Sequence, residues 1–168
     1  MLPTILPCLQ GNGIELRCMG EGDAPSLFEI YGDPVVMQYT DEEPFENIGT
    51  VSLMLESVQT LLRRGESLEW AIVATESNTL IGTCGLHSFD EALTSAEVGC
   101  LLRQSAWGQG YMKNAINLLI RYAKDTLGLR HLIADVHPDN ERAQQLFRAL
   151  GFQHPSPAVW TLDLVDQP

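Results

Sequence analysis

Two apolar runs, Ser67 to Ala74 and Thr79 to Leu86, flank the polar pair Ser77-Asn78 and predict a β-hairpin. A third strand follows over Ala96 to Leu102. Beyond it Ala115, Leu118, Leu119, Tyr122, Ala123 and Leu127 recur at i, i+3, i+4 spacing, which predicts an amphipathic helix that lays one face on a sheet. His131 to Val136 reads as another strand, parallel to the third because the connection between them is a helical crossover. Asn140 to Phe152 reads as a second helix, with Asn140 as N-cap and Gly151 as its stop. The pattern implies an α/β fold, a mixed central sheet with helices on both faces.

A chain of 168 residues with 45% apolar content can bury one substantial core and is short for two. The expected organisation is an N-terminal extension over residues 1–13 and a single domain over residues 14–165. Met1 to Gly13 hold two prolines and two glycines without the basic start and apolar run of a secretory signal. No stretch approaches the roughly 20 apolar residues of a membrane helix. Cys8, Cys18, Cys84 and Cys100 are scattered, with no CxxC pair, so idle or buried thiols in a reducing cytoplasm are expected and a metal is not. His137 lies near Asp135 and Asp139, but a polar turn leading into an N-cap accounts for it.

Net charge is −12, unevenly spread. Between Arg103 and Arg148 seven Lys or Arg face four acids, a local net of +3, so the remainder carries −15. An acidic remainder repels nucleic acid and attracts a cationic partner. It also serves solubility alone, and both readings stand.

The basic segment contains Trp107-Gly108-Gln109-Gly110-Tyr111-Met112-Lys113 between the third strand and the long helix. Two glycines remove side chains where backbone approaches a ligand, and the helix start offers unpaired N–H groups and the positive end of a macrodipole. Taken alone, the same residues also make an ordinary tight turn. A dinucleotide-type GxGxxG would need glycine at Lys113, and no GxxxxGK[ST] loop occurs.

This turn resembles the W-G-x-G-Y turn of the Gcn5-related N-acetyltransferases (GNAT), in particular the branch that acetylates the N-termini of ribosomal proteins. The downstream helix is similar to that family's N-x-x-[AS]-x-x-x-[YF]-x-x-x-G-F segment, with Asn140, Ala143, Phe147, Gly151 and Phe152 at its fixed positions. Ile14 to Arg17 as an opening strand, Gly32 to Val36 after a first helix, and Leu80 to Leu86 as a central strand extend the likeness to residues 14–164. The resemblance implies the acyl-CoA N-acyltransferase (GNAT) fold and acetyl-CoA as co-substrate. It places the cofactor on Leu101, Leu102, Arg103, Trp107, Gly108, Gln109, Gly110, Tyr111, Met112, Asn140 and Phe147. The glycine turn would hold the pyrophosphate, Leu102 would pair with the pantetheine arm, and main-chain N–H groups at Leu101 and Leu102 would receive the developing oxyanion.

An alkylammonium with a pKa of about 10 must lose a proton before its nitrogen attacks a thioester. Glu97, on the strand leading to the turn, is the leading candidate base, directly or through a water. A surface or ion-paired glutamate is the plainer alternative, and His87 is a second candidate. Asp41, Glu42, Glu43 and Glu46 lie where the family builds its acceptor pocket, so a cationic primary amine is the expected acceptor. Departures matter too: Ala143 and Phe147 replace the hydroxyl side chains with which many members protonate the leaving thiolate, and Met112 is bulky for the first helical turn. A non-catalytic acetyl-CoA-binding sensor is therefore the alternative, and an interaction protein without cofactor a third reading. An exposed strand at Trp160 to Leu164 could support a homodimer.

Overall fold

The computed structural model describes residues 1–165. One seven-stranded sheet runs in chain order from β1 (Leu9–Gln10) and β2 (Ile14–Arg17) through β3 (Ser67–Ala74), β4 (Thr79–His87) and β5 (Ser95–Leu102) to β6 (His131–Asp135) and β7 (Val159–Asp163). Between the strands lie α1 (Ala24–Tyr31), α2 (Pro34–Met37), α3 (Gly49–Arg63), α4 (Tyr111–Asp125) and α5 (Glu141–Ala149). All neighbouring strands are antiparallel except β5 and β6, whose parallel pairing follows from the crossover through α4. The mixed sheet with helices on both faces is thus the architecture the apolar pattern implies.

Alternation along β3 feeds two cores. Leu68, Trp70, Ile72 and Ala74 join the cluster containing Ala115, Ile116 and Leu119 of α4. Ala71 and Val73 join Leu27 and Ile30 of α1 and Val51 and Leu55 of α3 on the other face. Because both faces are covered, the hairpin strands read as near-continuous apolar runs. α3 has no counterpart among the sequence expectations. Its fully inward stripe is only Val51 and Leu55, and Leu53 is exposed, which blurs the helical period.

Trp70 is fully buried, edge-on to Tyr122 at 5.6 Å, and its indole N–H donates to Pro7 O at 2.8 Å. Truncating such a side chain costs about 3–5 kcal/mol. That bond and the pairing of β1 with β2 stitch residues 1–13 onto the sheet.

The strand expected to be exposed near the C-terminus is β7, an edge strand on which Val159 and Asp163 are exposed, so the expectation holds in part. Trp160 and Leu164 are buried. Gln153 N–H donates to Thr161 O at 2.8 Å and Thr161 N–H to Gln153 O at 2.7 Å, so the middle of the free edge already has partners.

The feature that positions the site is a divergence. β5 pairs with β6 only at Ser95, Ala96 and Glu97. Past Glu97, β5 stays on β4 as far as Leu102, while β6 stays on β7. A wedge opens between them.

Candidate active site

One wall of the wedge is β5 from Val98 to Leu102 and the turn that follows; the other is residues 135–138 with Asn140, Ala143, Leu146 and Phe147. The cleft measures about 810 Å3 and crosses the sheet toward α1 and α2, where Tyr31, Tyr39, Asp41, Glu42 and Glu69 line it.

Arg103 N–H donates to Ile81 O at 2.7 Å, on the β4 side. With unbroken register to β4, alternation turns the N–H groups of Leu101 and Gly99 to β4 as well, and those of Leu102 and Cys100 into the wedge. Of the two leucines expected to offer an oxyanion donor, only Leu102 therefore points its N–H at the cleft. The same alternation sends the side chains of Glu97 and Leu101 to the α1 and α2 face, and Cys100 and Leu102 to the α4 and α5 face.

Gly108 and Gly110 both adopt left-handed φ, +76° and +83°. A Cβ on either would meet no atom within 4 Å, so backbone conformation demands the glycines and the space above the turn is open. The first intrahelical bond runs from Asn114 N–H to Gly110 O at 3.1 Å, leaving Tyr111, Met112 and Lys113 N–H without helical acceptors. These groups and the α4 dipole point at the cleft, an arrangement that suits an anion. Met112 itself packs into the core beneath α4.

Trp107 donates its indole N–H to Leu102 O at 2.8 Å, and the Arg142 guanidinium lies 3.2 Å above its ring centroid. Asn140 Oδ1 accepts Ala143 N–H at 3.1 Å, capping α5. Phe147, edge-on to Phe152 at 5.0 Å, closes the inner end.

Two of the named side chains are not brought to the cleft. Arg103 pairs with Glu29 of α1 at 2.8 Å, tying that helix to the end of β5. Gln109 is exposed and donates to Ser105 O at 3.0 Å. A long side chain flanking a turn goes to whichever acceptor its backbone angle offers, and for Arg103 that acceptor is a carboxylate on the far face.

Glu97 lines the cleft with its Oε2 3.5 Å from His87 Nδ1, directly across the ladder, and Ser88 Oγ lies 3.0 Å from the same nitrogen. On the other side of His87 the cleft floor carries Glu69, which sequence reasoning missed. Burial pushes its carboxyl above the usual range, while His87 and a long contact from Ser67 at 3.5 Å favour its charged form. The signal was a lone acid in the otherwise apolar run of β3. Tyr31 shares a 3.0 Å hydrogen bond with Thr83, stacks on Phe45 at 5.2 Å, and has its phenol pushed up by burial. Cys84 and Cys100 sit opposite each other in the ladder with thiols raised by burial, Cys100 to about 11, which leaves them poor nucleophiles. Arg142 was also missed as a site residue, since nothing local to α5 shows that it reaches Trp107. Among the described residues no group of three or more His, Cys, Asp or Glu is placed to hold a metal, and no helix is long and apolar enough to cross a membrane.

A sheet split at a parallel pair, with a left-handed glycine turn at the head of the wedge, defines an acyltransferase fold. The chain matches the acetyltransferase (GNAT) domain family over residues 14–153, and it belongs to that family. It is 31% identical over 140 residues to the uncharacterized N-acetyltransferase p20 of Bacillus licheniformis, covering 83% of this chain and 79% of the relative. A structure described as a putative ribosomal-protein-serine acetyltransferase from Vibrio cholerae superposes with a TM-score of 0.80 at 17% identity, over 97% of this chain and 99% of that one. The spermidine N-acetyltransferase from Vibrio cholerae in complex with CoA and spermine gives 0.75 at 22%, over 86% and 83%. The protein is an enzyme of the N-acetyltransferase class.

Proposed function

We propose that the protein moves the acetyl group of acetyl-CoA to a cationic primary amine by direct attack. The observation that carries this reading is the wedge itself, which joins an anion-suited turn at one end to an acid-lined pocket at the other. Acetyl-CoA would run from the turn, past the inward N–H of Leu102, toward Phe147, with Trp107, Gly108, Gly110, Tyr111 and Asn140 along its course. The amine would approach from the side of Asp41, Glu42 and Glu69, which favour a positive charge. The relative named for spermidine and crystallised with spermine supports an amine of this kind.

Glu97 takes a proton from the ammonium, directly or through a water, and the freed nitrogen attacks the thioester carbon. Charge developing on the carbonyl oxygen is met by main-chain N–H groups facing the wedge, Leu102 or Cys100. The C–S bond then breaks, and the thiolate takes the remaining ammonium proton or one from water. Ala143 and Phe147 offer no hydroxyl for that last step, the one observation that favours a non-catalytic acetyl-CoA sensor instead. Calorimetric titration with acetyl-CoA, with NAD as control, followed by thiol release against a panel of di- and monoamines, tests both. Binding with thiol release is expected. Binding with no release for any amine would leave the sensor, and no binding would sink both.

A further inference from the structure

We propose that Arg142 is an anion-binding residue of this cleft that grips the phosphate portion of the acetyl donor, with Trp107 as the platform that aims it; the inference rests on the acetyl-CoA reading above. Arg142 stands in the first turn of α5, where the positive end of the helix dipole disfavours a cation. The N-terminus of α4, equally positive, opens into the same cleft, and Lys113 lines it as well. Among the described residues no carboxylate forms an ion pair with Arg142, whereas Arg103 and Arg17 are each neutralised by an acid. Partial burial lowers the affinity of the Arg142 guanidinium for its proton, opposed by Cys100 and Tyr39. Arg142 is exposed, so it is the placement that counts: a cation beside positive helix ends, with no carboxylate paired to it, keeps its donors available for an anion.

Although exposed, Arg142 is held in one orientation. Stacking at 3.2 Å on an indole that is itself fixed to Leu102 O leaves the fork of N–H donors oriented in advance. A planar guanidinium matches two oxygens of a phosphate group at once, which a lysine cannot do. Trp107 immediately precedes the glycine turn, and Arg142 and residues 111–113 line the same cleft, so phosphate oxygens lying there would have donors on both walls of the wedge.

The test is calorimetric titration of wild type, Arg142→Gln and Arg142→Lys with acetyl-CoA and with S-acetylpantetheine, which lacks the phosphates, at two salt concentrations, with thermal melts to verify folding. Loss of a charged hydrogen bond predicts that Arg142→Gln weakens acetyl-CoA about 10- to 100-fold, flattens the salt dependence, and leaves S-acetylpantetheine within about two-fold of wild type. Arg142→Lys should recover part of the loss. Unchanged acetyl-CoA affinity in Arg142→Gln, or equal weakening of both donors, would overturn the proposal, the latter by showing that Arg142 only shapes the cleft. Where S-acetylpantetheine binds too weakly to measure, the salt slope decides, and an unchanged slope overturns it. Wild type that fails to bind acetyl-CoA would remove the donor reading itself, a separate outcome.

Discussion

Glu97, His87 and Glu69 stand in a row on three adjacent strands, facing the acceptor end of the cleft. If Glu97 is the base, Glu97→Gln lowers turnover about 10²- to 10⁴-fold with the acetyl-CoA dissociation constant nearly unchanged. Steady-state kinetics beside calorimetry checks this, and equal turnover would remove Glu97 from the mechanism. Glu69 makes a prediction of the opposite kind. Its folded-state pKa is raised, so the stability it contributes is complete below its unfolded pKa and is lost as pH rises through the folded value. Glu69→Gln should therefore melt higher than wild type at pH 7, with the advantage shrinking as pH falls toward 4. Melting curves that stay parallel across that range would show that the carboxyl is solvated.

At the level of elements, the turn before α4 does the positioning. Gly110 combines a φ of +83° with open space overhead, so Gly110→Glu places strain, bulk and a negative charge where the donor's phosphates would lie. Acetyl-CoA binding should disappear from calorimetry while circular dichroism still reports a folded protein, and retained binding would show that the anion sits elsewhere. The β5–β6 pair matters as much as the turn. Three residue positions of parallel pairing hold the two halves of the sheet together, and the residues beyond them are free to face a ligand.

For the whole molecule, the two cores on either face of the sheet depend on β3, and β3 is tied to the N-terminal extension through Trp70. Removing residues 1–10 deletes β1 and the Pro7 carbonyl that pairs the Trp70 indole. A buried donor left unsatisfied costs about 1–3 kcal/mol before lost packing is counted. The expected result is a fall in melting temperature of roughly 5–10 °C; an unchanged melting temperature would return these residues to the status of a dispensable extension.

What the amino-acid order determined by itself was local or periodic. The hairpin of β3 and β4 follows from two apolar runs around a polar pair, with Asn78 accepting the left-handed turn at φ 52°. Asn140 caps α5 through its side-chain oxygen, and Gly151, having no side chain to clash, ends it at φ +90°. The glycine turn was legible because only glycine accepts its dihedrals without strain. Arg103 was not legible, since a positive residue beside that turn looks like a phosphate ligand until α1 brings Glu29 against it. Glu69 and Arg142, 73 positions apart, meet in one cleft only because the sheet splits past Glu97. Splitting is a property of strand pairing over long separations, which no window of neighbouring residues encodes. Local pattern therefore told what most segments would become, though not α3, and tertiary structure alone decided which charges face the cleft.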